Sequence, residues 1–314
     1  MFAARGLGVS LAIFFLLYLF ASLVVLQMWE FAARRMEAKS ARRQARGLFA
    51  LRVFPFALAA AFSLGITLPS FLWLEPRSTG EEIGAAPVVL ASCCLLVLAI
   101  GVARALAAQR KTTRVIAGWL EGSSLLEMAA QEKSIPVFRT GHNSPTLTVA
   151  GIREPKVLIS EAAVASLNAA ELPCALRHEI AHVRSGDNLK KLLYRLLAFP
   201  GMKMLEITWS EAAEMAADDA AVSSRAEALD LASALVKISR LAHVQQPEFT
   251  TGLLHTSTAL SARVQRLCGW TAPVADSRDN WRYLLPCAIA AACMAAIYSH
   301  VLVDVHVMTE WLVR

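Results

Sequence analysis

The stretch that decides how this chain is interpreted is Cys174-Ala-Leu-Arg-His-Glu-Ile-Ala-His-Val-Arg-Ser-Gly-Asp-Asn-Leu189. His178 and His182 are four positions apart, so on a helix both imidazoles lie on one face and can bind one metal ion. Glu179 directly follows the first histidine, where its carboxylate can take a proton from a metal-bound water. This HExxH spacing is typical of zinc peptidases. The alternative is a solvated helix face that carries two histidines and a glutamate.

A zinc site of this kind needs a third protein ligand, and residues 211–222 offer one. The segment reads Glu-Ala-Ala-Glu-Met-Ala-Ala-Asp-Asp-Ala-Ala-Val, without glycine or proline, which predicts a helix. Glu214 and Asp218 lie one turn apart on one face of it. We expect Glu214 to bind the metal and Asp218 to accept the ring N–H of a ligand histidine. A solvated acidic face is the alternative, but the surrounding alanines and methionine indicate a packed helix.

Together with Leu260-Ser-Ala-Arg-Val-Gln-Arg-Leu267 and the stretch 145–160, these segments resemble the BlaR/MecR-type membrane metallopeptidases. That family consists of gluzincins, which bind zinc through two histidines and a glutamate, and it is related to the HtpX-like bacterial membrane proteases. The stretch 145–160 is similar to the strand pair that precedes the zinc helix in the family. The resemblance implies a cytoplasmic α+β gluzincin-like domain with one zinc ion per chain.

The resemblance also implies roles for single residues. The zinc ligands would be His178, His182 and Glu214, the general base would be Glu179, and Asp218 matches the aspartate that orients a ligand histidine. Antibiotic-sensing members carry a large extracellular sensor domain after their last membrane helix, and we expect this chain to lack one. A beta-lactam is therefore not the expected ligand.

Charge that develops on the substrate carbonyl during hydrolysis needs a further donor near the metal. His255 and Arg263 are candidates for this oxyanion contact, or for a substrate contact, because both follow the ligand helices and precede the last apolar segment. The alternatives are a surface histidine and an arginine in a helix salt bridge. Cys174 is expected to be a small buried apolar residue rather than part of the site.

Four segments are apolar and long enough to cross a bilayer, which takes about 20 residues. They cover residues 7–29, 48–74, 87–108 and 284–303. With 56% hydrophobic residues, the chain is too apolar for an ordinary soluble protein. A buried core helix is the alternative for any one segment, and a signal peptide for the first. The first apolar run is longer than that of a signal peptide and a basic cluster follows it, which favours a retained anchor.

These segments predict a mainly α membrane protein with four transmembrane helices. Residues 1–108 hold three of them, residues 109–280 form the peptidase domain, and residues 281–314 hold the fourth and a short tail. The loops after the first and third segments are basic and the loop after the second is acidic, so the peptidase domain should be cytoplasmic and both termini extracytoplasmic. The expected location is the bacterial inner membrane. We expect the basic loops to contact lipid headgroups and not nucleic acid.

The pattern within the peptidase domain is mostly helical with a small sheet. Short stretches rich in β-branched residues and bounded by glycine or proline predict strands at 136–140, 146–152 and 156–159. Helices are predicted at 115–132 and 229–242 and after Ser160. Asn168 and Glu171 form a capping-box pattern at the start of the metal-binding helix, which should end at Ser185 or Gly186.

The predicted function is a membrane-anchored zinc endopeptidase that cleaves a cytoplasmic protein in signal transduction. By the resemblance, that substrate would be a winged-helix repressor of the BlaI/MecI type. One alternative is a membrane signalling scaffold with vestigial catalysis, which the complete set of motif residues disfavours. Another is an HtpX-like protease for quality control of membrane proteins. A transporter is disfavoured because the apolar segments contain almost no polar residues for a pathway.

Overall fold

The computed structural model describes residues 2–37, 39–75, 84–126, 135–141, 146–197, 199–245, 253–271 and 297–309. The described chain is mostly helical, as predicted. The helices are α1 (Phe2–Glu37), α2 (Ala41–Phe62), α3 (Leu68–Leu74), α4 (Ala85–Leu120), α5 (Glu161–Ser166), α6 (Glu171–Ser185), α7 (Asp187–Leu196), α8 (Lys203–Ala221), α9 (Arg225–Gln245), α10 (Leu253–Cys268) and α11 (residues 297–309). The strands are β1 (Ser124–Leu125), β2 (Val137–Thr140), β3 (Leu147–Ala150) and β4 (Lys156–Ser160).

Three helices of the described part are long and apolar enough to cross a membrane: Ala4–Met36, Ala41–Leu74 and Ala85–Leu120. They contain the first three predicted segments. The second one is continuous from α2 to α3 because a π-helical turn, Ser63–Thr67, joins the two. The fourth predicted segment lies outside the described residues as far as residue 296, and its last residues belong to α11.

Helix α11 packs beside the second membrane-length helix. The Tyr298 hydroxyl donates to the Gly65 carbonyl at 2.6 Å, and the Ser70 hydroxyl donates to the Leu302 carbonyl at 2.9 Å. Gly65 lies in the π-helical turn, and Pro69, four residues on, has no N–H to donate to its carbonyl. The hydroxyl of Tyr298 supplies a donor there.

Helix α4 corrects one prediction, the helix at 115–132. No residue between 109 and 117 interrupts a helix, so α4 runs on from the third apolar segment to Leu120. It ends before Gly122, which has a φ of 78°. Residues 124–125 then form β1, so the predicted helix is wrong there, and its last six residues lie outside the described part.

The small sheet has the strand order β1-β2-β4-β3 and is mixed. Strand β2 runs parallel to β4, with Val137 opposite Val157, and β3 runs antiparallel to β4, with Leu147 opposite Ile159. The three strands predicted from the sequence are confirmed, with ends shifted by one or two residues. A core of sheet residues such as Val157 and Ile159 packs on the helix residues Ala163, Leu172 and Ala175, and so seats α6 against the sheet.

Both ends of α6 are defined by local hydrogen bonds. The Asn168 side chain accepts from the Glu171 backbone N–H at 2.8 Å, and the Glu171 carboxylate accepts from the Asn168 backbone N–H at 2.9 Å. This is the predicted capping box. At the other end Gly186 adopts the left-handed conformation with a φ of 68°, which favours glycine. The chain turns there and immediately starts α7.

A second core joins the membrane-length helices to the region that carries the motif. Val25 of α1 and Leu48 of α2 belong to the same buried cluster as Tyr194 of α7 and Leu205 and Trp209 of α8. Helices α7 and α8 therefore rest directly on the membrane-length helices.

Candidate metal centre

Helix α6 brings the two histidines together. Their Nε2 atoms are 3.2 Å apart, and the ring planes stand at 85° to each other. His178 is buried, with 5% of its surface exposed. Two imidazole nitrogens that face each other at this distance present two lone pairs to one point, which favours a shared cation between them.

Helix α8 supplies the third group. The Glu214 carboxylate oxygens lie 3.5 Å from His178 Nε2 and 3.6 Å from His182 Nε2. One ligand atom from each of the three residues lies within 4.8 Å of the other two, which makes this a possible metal site within the described part of the chain. Tetrahedral zinc with bonds of about 2.05 Å would hold its ligand atoms about 3.3 Å apart. The two Nε2 atoms have about that separation, and each lies at a similar distance from a different Glu214 oxygen, so the three side chains surround one space that could hold the ion.

Each imidazole is backed by a carboxylate at its other nitrogen. His178 Nδ1 lies 3.0 Å from Asp218 Oδ1, and His182 Nδ1 lies 2.8 Å from Asp187 Oδ2. Both aspartates are buried. A carboxylate that is hydrogen-bonded at Nδ1, as Asp187 is to His182, favours the ring proton there and leaves the Nε2 lone pair for a metal. Asp218 lies at ion-pair distance from His178 Nδ1 without the geometry of a hydrogen bond.

Asp187 is a site residue that the sequence reasoning missed. It lies five residues beyond His182 and off the face of α6, so the spacing of the motif does not indicate it. The turn at Gly186 brings it back to His182. Its neighbour Asn188 donates to the Val149 and Gly151 carbonyls at 3.3 and 3.0 Å, and so ties this turn to the edge strand β3.

Arg263 lies beside the candidate metal ligands, where it forms ion pairs with Asp218 and Glu214. Its Nε and Nη2 donate to the two Asp218 oxygens at 2.8 and 2.7 Å, and its Nη1 lies 2.9 Å from Glu214 Oε2. The guanidinium thus orients both carboxylates. Its Nη2 is also 3.5 Å from His178 Nε2.

Of the other two predicted residues, Glu179 and His255, the structure describes the side chain of Glu179 alone. Glu179 follows His178 on α6, is half-buried, and lies near enough to influence both imidazoles electrostatically. His255 belongs to α10, two turns before Arg263, and its side chain lies outside the described part. Cys174 is buried, as expected, and its sulfur accepts from Arg177 at 3.2 Å.

The charges of the centre favour a divalent cation. Within the described part of the chain, the cationic side chains that form ion pairs with Asp187, Glu214 and Asp218 are Arg263 and Lys190, while Glu179 adds a further negative charge nearby. Burial alone would lower the pKa of His182, but its contacts with Asp187 and Glu214 outweigh burial and raise the pKa from 6.5 to about 10. Because a histidine binds a metal in its neutral form, metal binding at this ring would compete with its protonation.

The comparisons with known proteins agree with this geometry. The family model described as BlaR1 peptidase M56 matches residues 80–267, more than half of the chain. The chain belongs to the BlaR1 peptidase M56 family. This confirms the resemblance that the sequence motifs carried, and the match contains every residue of the candidate centre. The family is one of peptidases, and the three membrane-length helices fit a protein associated with a membrane. A comparison with curated proteins found no match.

Proposed function

We propose that this chain is a membrane-anchored zinc endopeptidase with a gluzincin-like domain that cleaves a cytoplasmic protein. The observation that carries the proposal is the cluster of His178, His182 and Glu214, which has one ligand atom from each residue within 4.8 Å of the other two. Asp218 and Asp187 support it because each holds an imidazole with its Nε2 directed at the shared point. Family membership supports a peptidase rather than another metal enzyme.

In this proposal the three ligands hold one zinc ion per chain, which when bound lowers the pKa of its water toward about 7 and polarises the scissile carbonyl. Glu179 accepts a proton from the attacking water and donates it to the leaving amine. Asp218 and Asp187 orient the two imidazoles toward the ion. Arg263 neutralises part of the charge on Glu214 and Asp218, and its Nη2, 3.5 Å from His178 Nε2, is the donor that we assign to the carbonyl oxygen as it gains charge.

The edge of the sheet is the proposed seat of the substrate backbone. Strand β3 pairs only with β4, so its other side is free of a neighbouring strand within the described sheet. An extended peptide can add to such an edge through main-chain hydrogen bonds. The Asn188 side chain already donates to the Val149 and Gly151 carbonyls. The backbone groups left for a peptide on this edge are therefore those near Leu147. We expect the substrate to bind along that part of β3.

The proposed topology has four membrane spans, with the peptidase domain in the cytoplasm and both termini outside. Helix α11 supports it: Tyr298 contacts Gly65, Leu302 contacts Ser70, and His306 lies 3.6 Å from Glu75. The residue numbers of the contacts increase along both helices in the same direction, so α11 runs parallel to the second span. That is the direction a fourth span needs to end outside. Reporter fusions at Arg42 and Gly80 test this, with a cytoplasmic signal expected only at Arg42.

The proposed substrate is a winged-helix repressor of the BlaI/MecI type, cleaved as a step in signal transduction. The support is family membership together with the basic loops that favour a cytoplasmic domain. Co-expression with a repressor, followed by an immunoblot for its length, tests this choice. A repressor that stays intact while misfolded membrane proteins are degraded would favour the HtpX-like quality-control role instead.

The deciding experiment for the proposed chemistry compares two variants of the purified full chain. Glu179→Gln should retain one zinc per chain and lose peptide cleavage, whereas His178→Ala should lose the metal as well. Glu211→Gln, one turn before Glu214 on α8, is the matched control and should keep both metal and activity. Wild-type cleavage by Glu179→Gln would overturn the general-base role. A wild-type chain that binds zinc and cleaves no peptide would favour a scaffold whose peptidase fold is vestigial.

A further inference from the structure

Helix α7 connects the metal centre to the membrane-length helices. The carboxylate of its first residue, Asp187, is hydrogen-bonded to His182, with 2.8 Å between Oδ2 and Nδ1. The residue just after its end, Leu197, presents a carbonyl that accepts hydrogen bonds from α1 and α2. The helix has ten residues, so it is a rod of about 15 Å whose two ends serve two different parts of the molecule.

The membrane end of α7 is held by a buried cation. Arg52 on α2 is 1% exposed; its Nη2 donates to the Leu197 carbonyl at 2.5 Å, and its Nε donates to Glu206 Oε1 at 3.2 Å. The Tyr18 hydroxyl on α1 donates to the same Leu197 carbonyl at 3.2 Å. Carbonyls at the end of a helix lack partners within it and carry partial negative charge, so a guanidinium is a strong anchor there.

A close approach of α4 fixes the same end of α7 from another side. A Cβ placed on Gly101 would lie 2.1 Å from the Leu196 carbonyl oxygen. Only glycine allows α4 and α7 to meet at this distance. Three of the helices in the membrane region therefore contact the last turn of α7.

Side chains along α7 continue the contact toward the metal. The Tyr194 ring lies 5.7 Å from the Arg52 guanidinium and packs edge-on against Trp209 at 4.9 Å. One turn earlier, Lys190 lies over the rings of Trp209 and Phe49, and its Nζ donates to Asp187 Oδ1 at 2.9 Å. Every contact from Arg52 to His182 is thus made by a buried or half-buried side chain.

We propose that Arg52 is a positioning residue for the metal centre. It holds the carboxyl end of α7, and α7 in turn places Asp187 and Lys190 so that His182 presents Nε2 to the metal. Because packed helices shift as rigid bodies, a displacement of α7 at Leu197 moves Asp187 as well. The inference rests on the proposed zinc site, and it makes the affinity of that site depend on how α1 and α2 sit against α7.

The test uses the full chain in detergent and measures zinc affinity by competition with a chromophoric chelator. Arg52→Met removes both donors and should weaken zinc binding by about 2- to 30-fold. Arg52→Lys keeps a cationic donor and should recover most of the affinity. The matched control is Ser70→Ala, which removes a hydrogen bond to a backbone carbonyl at the other end of the same span and should leave zinc affinity unchanged.

A second readout separates positioning from a general loss of stability. The visible spectrum of the Co²⁺-substituted protein reports ligand geometry, and we expect it to change in Arg52→Met and not in Ser70→Ala. Unchanged zinc affinity and spectrum in Arg52→Met would overturn the proposal, as would equal changes in both variants. If Arg52→Met does not fold, Tyr18→Phe decides the question, since it removes the second donor to the Leu197 carbonyl with little change in volume; it should weaken zinc binding, and unchanged affinity would overturn the proposal.

The failure of this inference differs from the failure of the proposed function. A wild-type chain that binds no zinc, or whose zinc binding survives His178→Ala, would overturn the zinc site itself. A wild-type chain that binds zinc through His178 while Arg52→Met matches it would overturn only the role of Arg52.

Discussion

The two imidazoles of the candidate metal centre each face a buried aspartate, but different parts of the molecule hold those aspartates in place. His178 faces Asp218 of α8, and Arg263 of α10 holds that aspartate through two N–H donors. His182 faces Asp187 of α7, and Lys190 holds that aspartate while resting on Phe49 of a membrane-length helix. Each support is an imidazole, a carboxylate and a cation in series. The first lies inside the peptidase region and the second depends on the membrane helices, so the two ligands can be disturbed separately.

The largest effect is expected at the His178 support. Arg263→Met leaves the fully buried Asp218 carboxylate without its two strongest donors, and loss of one partner of a buried ion pair costs about 3 to 5 kcal/mol. We expect the metal-free protein to lose that much unfolding free energy in chemical denaturation. Arg266→Met is the control, because its partner Asp219 is partly exposed and such pairs contribute about 1 kcal/mol or less. Equal losses in the two variants would mean that the His178 support is not a special element of stability.

The next effect compares the two aspartates directly. Asp218→Asn and Asp187→Asn each replace the carboxylate behind a ligand imidazole, and such changes weaken metal binding by about 10- to 100-fold. We expect the larger loss in Asp218→Asn, since Arg263 would also lose a charged partner. Zinc affinity by chelator competition measures both, with Asp219→Asn as the control. If Asp187→Asn bound zinc like the wild type, Asp187 would not contribute to the site in the way that Asp218 does.

A smaller effect concerns the amino-terminal end of α6, which carries both imidazoles. Glu171 accepts from Ser233 and Lys237 of α9 at 2.6 and 2.7 Å, in addition to the Asn168 N–H. Burial alone would raise the pKa of Glu171, but these donors outweigh it and hold the pKa below its usual 4.5. Glu171→Gln keeps part of the hydrogen bonding, so we expect it to cost about 1 kcal/mol of unfolding free energy at neutral pH.

The pH dependence of that variant has a definite sign. A carboxyl whose pKa is lowered on folding stabilises the protein above its unfolded pKa of 4.5, and this contribution is lost as the pH falls through the lowered value. The stability difference between wild type and Glu171→Gln should therefore be full at pH 6 and shrink below pH 4.5. Denaturation curves across that range measure it, and a difference independent of pH would show that the charge of Glu171 contributes nothing.

Local patterns in the sequence were enough for the parts of the fold that depend on neighbouring residues. The apolar runs predicted the three membrane-length helices, and the strand stretches and the capping box at Asn168 and Glu171 were found where predicted. The spacing of His178 and His182 predicts a shared face because a helix repeats every 3.6 residues. The bounds of the helix predicted at 115–132 were wrong, because no residue after the third apolar segment stops α4. That helix continues to Leu120.

By itself, the sequence determined the family, the helical character and the candidate ligands, since all of these are carried by short spacings along the chain. Only the tertiary structure decided what stands behind the ligands. Asp187 reaches His182 through a left-handed turn at Gly186, and Arg263 reaches Asp218 from a helix that the sequence places far away. Arg52 meets Leu197 across 145 positions of sequence. No periodicity links such pairs, because their contacts arise from how whole helices pack and not from the order of residues within one helix.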